Sequence, residues 1–254
     1  MATIDQNETV TAPKPQTKPL EFRRAYENYK KLTQSPDDTE YVFEIIDALS
    51  TGTKTRDYDM MRRRPSGKRM LKEQPDLVAA LSDPRLKDLP EGTLGRTYYE
   101  FMAEEGLTAD GLIKASEIDR SIERELNDEQ EWFSGRIRDQ HDLWHVVAGY
   151  GRDPLGELSL LGFSYAQTRT LGFAFIAVMG SIFARKNHPE VPVAKAVWQG
   201  FLNGQRAKWL TATPWEEMLD MPLEDVRRFL RVNKPTVYNE ILSIPDMNFE
   251  PSAA

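Results

Sequence analysis

Apolar residues recur at three- and four-residue spacing along most of the chain, and this period constrains the fold more than any other feature of the sequence. The alternation of apolar and polar residues between turn pairs, which is typical of strands, is scarce. A period near 3.6 residues places apolar side chains on one face of a helix. The sequence therefore predicts an all-α fold, and since it shows no internal repeat and no linker, we expect a single compact multi-helix domain.

The two ends of the chain do not share this pattern. Residues 1–19 lack the basic segment followed by an apolar segment that marks a secretory signal peptide. They also contain Asp5 and Glu8, whereas transit peptides contain few acidic residues. We expect a disordered tail over 1–19, a helical domain over 20–244 and a C-terminal tail over 245–254. Helices are predicted at 20–32, 38–50, 67–73, 76–82, 93–105, from near 116, and at 129–150, 193–210 and 223–232.

Composition excludes several classes of protein. The 33 Lys+Arg and 40 Asp+Glu give a net charge of -7, and because this field repels a phosphate backbone, nucleic-acid binding is not expected. The absence of cysteine excludes disulfides, thiolate metal sites and cysteine nucleophiles. The most apolar run, 171–184, is shorter than the roughly 18 residues that suggest a membrane span. We therefore expect a cytoplasmic-type protein in which any transition metal is bound by His, Asp and Glu.

Two of the three histidines, His141 and His145, lie four residues apart. On a helical wheel they form one narrow ionisable stripe with Asp142 at its edge, while the rest of the circumference is apolar. A helix that is apolar on most faces is buried, so the stripe faces the protein interior or a cleft. Imidazoles at positions i and i+4 project from adjacent turns and can bind one metal ion.

Glu157 follows in a different helix, because Gly149, Gly151 and Pro154 interrupt the first one. Asp153 and Pro154 are typical of an N-cap and a first helical position, which places Glu157 in the first turn of the next helix. If the two helices fold back on each other, the site contains two nitrogens and one or two carboxylate oxygens. Such a set suits a divalent metal with open coordination positions: zinc by affinity, with iron, cobalt or manganese as alternatives.

Histidines at this spacing also occur as surface residues or as hydrogen-bonded core residues, and a glutamate in a first turn often only complements the helix dipole. Three features favour the metal site over these alternatives: Asp142 beside the histidines, the apolar character of the rest of that helix, and the N-cap signal that starts the helix of Glu157. Arg138 lies on the same predicted stripe one turn before His141, where it could bind an anionic group of a substrate. His188 receives no role.

The motif His-Asp-x-x-His followed by eleven residues and Glu resembles the signature of the coenzyme Q (ubiquinone) biosynthesis protein 4 family. The similarity extends from about residue 20 to about residue 235 and includes the segments LPEGTLGRTYYEFM, HDLWHVVAGYGRDPLGE, GQRAKWL and PWEEMLDMPLEDVRRFL.

The resemblance implies a helical protein that carries a divalent metal at His141, Asp142, His145 and Glu157 and associates peripherally with the inner membrane. It implies a polyprenyl-hydroxybenzoate substrate, whose ring carboxylate is removed and replaced by a hydroxyl, and other ubiquinone biosynthesis enzymes as partners. Asp142 either binds the metal or orients an imidazole. The sequence leaves the oligomeric state open, a homodimer included.

Two segments have alternative interpretations that bear on a lipid substrate. The apolar run 171–184 is either a central core helix or the wall of a prenyl groove, in which Gly172 and Gly180 would leave room for a chain. The basic cluster at 62–72 either forms a solvated loop or steers the protein towards anionic lipid headgroups.

Three functions are compatible with the motif. The first is a metal-dependent oxidative decarboxylase, and the second is a non-catalytic scaffold that binds prenylated intermediates for other enzymes. The third, a phosphohydrolase of the His-Asp metal class, is disfavoured, because such sites draw an earlier histidine from another helix and this chain has none before His141.

Overall fold

Helices account for most of the residues described by the computed structural model, which are 19–35, 39–50, 53–104, 106 and 128–244. We number the α-helices of these ranges in chain order: α1 Phe22–Leu32, α2 Thr39–Ala48, α3 Thr53–Arg63, α4 Pro65–Glu73, α5 Leu77–Leu81, α6 Leu94–Glu104, α7 Asp128–Asp139, α8 His141–Ala148, α9 Pro154–Thr168, α10 Leu171–Asn187, α11 Val193–Arg206, α12 Leu223–Leu230 and α13 Thr236–Leu242. Short 3-10 helices lie at Pro84–Asp88, Leu210–Ala212 and Trp215–Glu217.

The predicted all-α fold is confirmed. Within the described ranges no strand is present, and the nearest approach to one is a single isolated bridge between Thr93 and Pro222. This bridge joins the start of α6 to the start of α12, since Leu94 N donates to Met221 O at 2.9 Å and Leu223 N donates to Gly92 O at 2.8 Å. The helices pack into one domain, as the sequence predicted.

The closest helix pair is α9 with α11, and small residues make this approach possible. A Cβ atom added at Gly200 would lie 2.2 Å from the backbone oxygen of Ser159, and one added at Gly162 would lie 2.5 Å from that of Val197. No side chain fits at either position without moving a helix. The largest apolar cluster surrounds this pair and also includes Leu143 and Trp144 of α8. The main core therefore holds α8 and α9, which carry the motif residues.

A smaller apolar cluster joins α1 and α2 to α10 through residues such as Ala25, Ile45 and Ile176. In α10 only Gly172, Ile176 and Ala177 are buried, whereas Val178 and Ile182 are more than half exposed. The interpretation of this segment as a central core helix is therefore wrong: α10 lies at the surface.

The two glycines of α10 do not leave open space. A Cβ atom at Gly172 would lie 2.7 Å from Cα of Ile46, and one at Gly180 would lie 2.4 Å from Cδ2 of Leu158. Both glycines therefore allow close helix packing. The groove-wall interpretation of α10 stays a prediction that no longer draws support from these glycines.

The helix predicted over 129–150 is two helices, α7 and α8, separated at Gln140. Gln140 is fully buried, with φ -86° and ψ 0°, and its Oε1 accepts a hydrogen bond from Nε1 of Trp215 at 2.9 Å. A buried polar side chain needs such a partner, so this contact holds the junction in place. The apolar period continues across the junction, which is why the sequence did not reveal it.

The basic cluster at 62–72 forms the end of α3 and most of α4, so the solvated-loop interpretation is wrong. Met70 and Leu71 of this segment are buried. Among the described helices, none combines the length and apolar character needed to cross a membrane. The predicted tails, apart from Pro19, and the helix expected from near 116 lie outside the described residues.

Candidate metal centre

His141 and His145 occupy the first and fifth positions of α8, so their side chains project from successive turns. Their ring centroids are 4.8 Å apart, with an angle of 73° between the ring planes. Leu143 and Val147, on other faces of the helix, are completely buried in the main core. This burial fixes the rotation of α8 about its axis and therefore the direction of both imidazoles.

The connection between α8 and α9 turns the chain back on itself. Gly149 ends α8 with φ +78°, a conformation that glycine adopts without strain. Asp153 caps α9 by accepting hydrogen bonds from the backbone nitrogens of Leu155 and Gly156 at 3.1 and 3.0 Å. A Cβ atom at Gly156 would lie 2.1 Å from the backbone oxygen of Gly151, so only glycine permits a turn this tight.

This turn brings Glu157 to the two histidines. One ligand atom from each of His141, His145 and Glu157 lies within 4.8 Å of the others. The side chain of His145 is completely buried, whereas the side chains of His141 and Glu157 are 46% and 36% exposed to solvent. The cluster is therefore closed on the side of His145 and open to solvent on the side of His141.

The hydrogen bonds of His145 determine which of its nitrogens can bind a metal. Its Nδ1 lies 3.1 Å from the backbone oxygen of Tyr150, and because a carbonyl only accepts, Nδ1 carries the hydrogen and donates. Its Nε2 is buried without a hydrogen-bond partner and faces Oε1 of Glu157 at 3.4 Å. In the neutral ring this places a lone pair opposite a carboxylate oxygen, an arrangement that requires a proton or a cation between them.

His141 is oriented in the same way by a carboxylate. Its Nδ1 donates to Oδ1 of Asp142 at 3.2 Å, which leaves Nε2 with a free lone pair. Burial lowers the pKa of His141, but the hydrogen bond and the negative charges of Asp142 and Glu157 outweigh it, so the pKa is raised. Asp142 lies outside the three-residue cluster and contacts the second nitrogen of an imidazole, a position typical of residues that orient metal ligands.

The carboxylates of the site are held in their charged form. Burial raises the pKa of Glu157. The contact with His145, the charges of His145 and His141 when they are protonated, and the charge of Arg152 lower it by more, so the net pKa lies below the ordinary value. The pKa of Asp142 is also lowered, because its contact with His141 and the charges of His141 and Arg152 outweigh burial. A metal site needs its carboxylates ionised, so both shifts favour cation binding.

The donor set fits a divalent metal ion. Ligands at about 2.0–2.2 Å from a tetrahedral zinc ion lie about 3.4 Å apart, so atoms within 4.8 Å need only small side-chain rotations to reach one ion. Each imidazole donates its other nitrogen to an oxygen, which is the usual support of metal-bound histidines. Two imidazoles and one carboxylate leave a fourth position for water or substrate, as in catalytic zinc sites.

The family profile of "Coenzyme Q (ubiquinone) biosynthesis protein Coq4" matches residues 33–236. The chain belongs to this family. The motif and the segments that suggested the resemblance lie inside the matched range, apart from the start of the region at residue 20, so that prediction is confirmed. Family membership assigns the protein to ubiquinone biosynthesis.

Relatives of the chain carry the same assignment. The "Ubiquinone biosynthesis protein coq4, mitochondrial" of Botryotinia fuckeliana is 31% identical over 209 residues, which cover 79% of this chain and 71% of the relative. The corresponding protein of Yarrowia lipolytica is 30% identical over 182 residues, which cover 70% of this chain and 65% of the relative. The chain therefore spans about two thirds of the length of these two Coq4 relatives.

The fold also has a solved counterpart. A crystal structure from Nostoc punctiforme, described as a candidate ubiquinone biosynthesis protein, superimposes with a TM-score of 0.61 at 22% sequence identity. The match covers 85% of this chain and 100% of that chain. At this identity the likeness shows a shared fold.

Arg138, which the sequence placed on the stripe of this Coq4 motif, lies in α7 on the other side of the Gln140 junction. Its Nε contacts Oδ1 of Asp139 at 3.2 Å. Because α7 and α8 are separate helices, the wheel that linked Arg138 to His141 does not hold across the junction. Its role towards a substrate anion stays a prediction.

Sequence reasoning missed Arg152, whose Nη1 lies 3.9 Å from Oδ1 of Asp142 and whose side chain is one-third exposed. Its position in the return turn, between His145 and Glu157 in sequence, could have identified it. Phe101 of α6 was also missed, although its ring stacks on His145 with 5.7 Å between centroids. No local pattern indicated that contact, because the two residues are 44 positions apart in the chain.

The far end of α8 is held by an arginine from α12. Arg227 Nε donates to the backbone oxygen of Val147 and its Nη2 to that of Val146, both at 2.9 Å. The last carbonyls of a helix have no partner within the helix, and a cation there also complements the helix dipole. Arg227 therefore stabilises the helix that presents the two histidines.

Proposed function

We propose that the protein is a metal-dependent carboxy-lyase of ubiquinone biosynthesis that removes the ring carboxylate of a polyprenylated 4-hydroxybenzoate oxidatively, with a hydroxyl taking its place. Molecular oxygen accepts the two electrons, so that the acid, oxygen and water give the hydroxylated ring, carbon dioxide and hydrogen peroxide. One observation carries the proposal: buried His145 directs an unpartnered Nε2 at Glu157, beside a half-exposed His141. The arrangement supplies three ligands and an open side, which a catalytic metal needs and a closed structural metal does not.

We propose zinc as the metal by affinity, with iron, cobalt or manganese as the alternatives, held by His141, His145 and Glu157 while Asp142 orients His141. When bound, a divalent metal supplies a Lewis acid that stabilises negative charge on a carboxylate or phenolate oxygen. Arg152 adds a positive charge at the mouth of the site and is proposed to bind the substrate's carboxylate, alone or with Arg138.

The surroundings of His145 suit an aromatic substrate. Phe101 covers one face of the imidazole and is itself packed against the main core, so the buried side of the site is apolar. An apolar wall excludes water from the reacting ring and strengthens the electrostatic contacts made there. We propose that the substrate ring enters from the exposed side of His141 and contacts Phe101.

The second candidate is a scaffold that binds prenylated intermediates and other ubiquinone biosynthesis enzymes without catalysing a reaction. The observation that favours it is the exposed apolar surface of α10, where Val178, Ile182 and Phe183 are 57%, 59% and 50% exposed. Exposed apolar groups of this kind are typical of surfaces that contact lipid or another protein. Peripheral attachment to the inner membrane belongs to the same proposal.

Turnover separates the two candidates. The purified chain is incubated with zinc, or with iron, cobalt or manganese, under oxygen, with a short-chain prenyl 4-hydroxybenzoate labelled in its carboxyl group. A lyase releases labelled carbon dioxide and forms the hydroxylated ring, and His145→Ala and Glu157→Gln lose both products while the control His188→Ala keeps them. Retention of the lipid without release of carbon dioxide, under all four metals, would establish the scaffold instead.

A further inference from the structure

A second cleft lies at the opposite end of α9 from the metal centre. It has a volume of about 520 Å³ and is lined by residues of α3, α9 and α11 and by the segment that follows α11, among them Arg56, Met60, Arg169, Gln205 and Trp209. Arg169 follows Glu157 by twelve residues along α9, a separation of about 18 Å at 1.5 Å per residue. The cleft is therefore a separate site.

The lining of this cleft is positively charged in a chain whose net charge is -7. Two arginines line it and no acidic residue does. A third arginine, Arg64, lies 4.8 Å from the ring centroid of Trp209. The nearby acid, Asp57, is buried and already bonded to Arg56, with 2.7 Å between its Oδ1 and Arg56 Nη2. Asp57 therefore compensates the charge of Arg56, and Arg169 is the arginine of the lining without such a partner among the described residues.

A structural role accounts for one of the two arginines only. Arg56 Nη2 donates to the backbone oxygen of Thr168 at 2.8 Å and so caps the end of α9. The guanidinium of Arg169 instead lies 5.8 and 5.9 Å from the ring centroids of Tyr165 and Phe201, and it has no carboxylate partner among the residues that the structure describes. Its hydrogen-bond donors are therefore available to a ligand.

The lining of the cleft also contains the apolar side chains of Trp209 and Met60, and hydrogen bonds hold Trp209 in place. Trp209 Nε1 donates to the backbone oxygen of Gln167 at 3.2 Å. The side chain of Gln167 bonds Gly204 O at 2.6 Å and Leu210 N at 2.7 Å. These bonds fix the indole beside the arginines, where it and Met60 offer contact area to a flat or apolar group.

We propose that this cleft, the arginine cleft, binds a small organic anion that carries a carboxylate or a phosphate monoester on a flat apolar group. Guanidinium groups bind such oxyanions in bidentate fashion, and Arg169 supplies one whose donors no carboxylate of the described residues takes up. Trp209 and Met60, which line the same cleft, contact the apolar part. The volume lies within the roughly 300–1,000 Å³ that is usual for small-molecule sites.

The test is calorimetric titration of the full chain, treated with EDTA, with phenyl phosphate, inorganic phosphate and benzyl alcohol. Phenyl phosphate is expected to bind saturably and at least tenfold more tightly than inorganic phosphate, and benzyl alcohol is expected not to bind. Arg169→Asn is expected to weaken phenyl phosphate binding at least tenfold. Asparagine is chosen because Arg169 has φ +58°, a conformation that asparagine tolerates.

Arg231→Asn is the matched control, since Arg231 also ends a helix with φ +58° but does not line the cleft. It is expected to bind phenyl phosphate as the parent chain does. If Arg169→Asn does not fold, Arg169→Lys keeps the charge without the planar fork and is expected to weaken binding at least threefold.

Three results would overturn the proposal. The first is the absence of saturable phenyl phosphate binding by the parent chain. The second is unchanged affinity in a folded Arg169 variant. The third is equal affinity for inorganic and phenyl phosphate, which would leave an anion site without the apolar half. None of these results bears on the metal centre, so the two proposals succeed or fail separately.

Discussion

The Nδ1 atom of His145 donates a hydrogen bond to the backbone oxygen of Tyr150 at 3.1 Å, five residues further along the chain. This bond fixes the tautomer and orientation of a completely buried imidazole, and it directs the other nitrogen towards Glu157. Because Tyr150 lies in the turn that joins α8 to α9, the same turn that returns Glu157 also orients the imidazole of His145.

Metal content is expected to depend on the buried histidine. The chain purified without added metal should contain about one equivalent of a divalent metal, and His145→Ala should contain less than about a tenth of that, because three-ligand sites rarely survive loss of a ligand. Elemental analysis by mass spectrometry measures both. His188→Ala, in a loop outside the cluster, should match the parent chain; equal metal loss in that variant would contradict the assignment.

Metal binding should stabilise the fold measurably. A ligand that binds only the folded state at 100 times its Kd adds about 2.7 kcal/mol to the free energy of unfolding. For a chain of this size that corresponds to an increase in Tm of roughly 5–10 °C. Thermal unfolding of the EDTA-treated chain with and without zinc provides the measurement. The double variant His141→Ala, His145→Ala should show no such increase, and an equal shift would assign the stabilising metal to another site.

Asp57 should make stability depend on pH in an unusual direction. Burial raises its pKa from the model-peptide value of 3.8 to about 6, with Arg56 opposing the shift. The folded chain then holds a proton that the unfolded chain has lost between these pH values, so stability falls as pH rises from about 4 to about 6. By linkage, the free energy of unfolding of the parent chain should fall by up to about 3 kcal/mol relative to that of Asp57→Asn as the pH rises through this range.

Chemical denaturation of both chains at pH 4, 5, 6 and 7 measures this difference. The free energy of unfolding of Asp57→Asn minus that of the parent chain should grow with pH and level off above about pH 6. A difference that is constant with pH would show that Asp57 has an ordinary pKa.

Two glycine substitutions should have opposite effects on stability. Gly200→Ala places a Cβ atom 2.2 Å from the backbone oxygen of Ser159 and forces α9 and α11 apart, at a cost of about 1–3 kcal/mol or more. Gly135→Ala, in α7, meets nothing closer than 3.5 Å, so its better helix propensity should stabilise the chain by up to about 1 kcal/mol. Urea unfolding measures the free energy of unfolding of both variants. Equal changes in this free energy would contradict the close packing of α9 on α11.

The helical pattern predicted most elements to within a few residues, but it missed α3 and α13 and failed at Gln140. The apolar period runs through both α7 and α8, so nothing local marks the junction. The hydrogen bond from Trp215, 75 residues away, holds it. The same pattern also identified α10 as apolar but not as exposed, since an apolar helix has the same sequence whether it is covered or not.

The sequence alone determined the all-α fold, the pairing of His141 with His145 at one-turn spacing, and the start of a new helix at Pro154, because helix period and capping depend on neighbouring residues. Only the tertiary structure decided that Glu157 returns to the histidines, that Asp142 contacts His141, and that Arg152 and Phe101 border the site. Those contacts depend on how α6, α8 and α9 pack, and close packing between distant residues is not encoded in any local spacing.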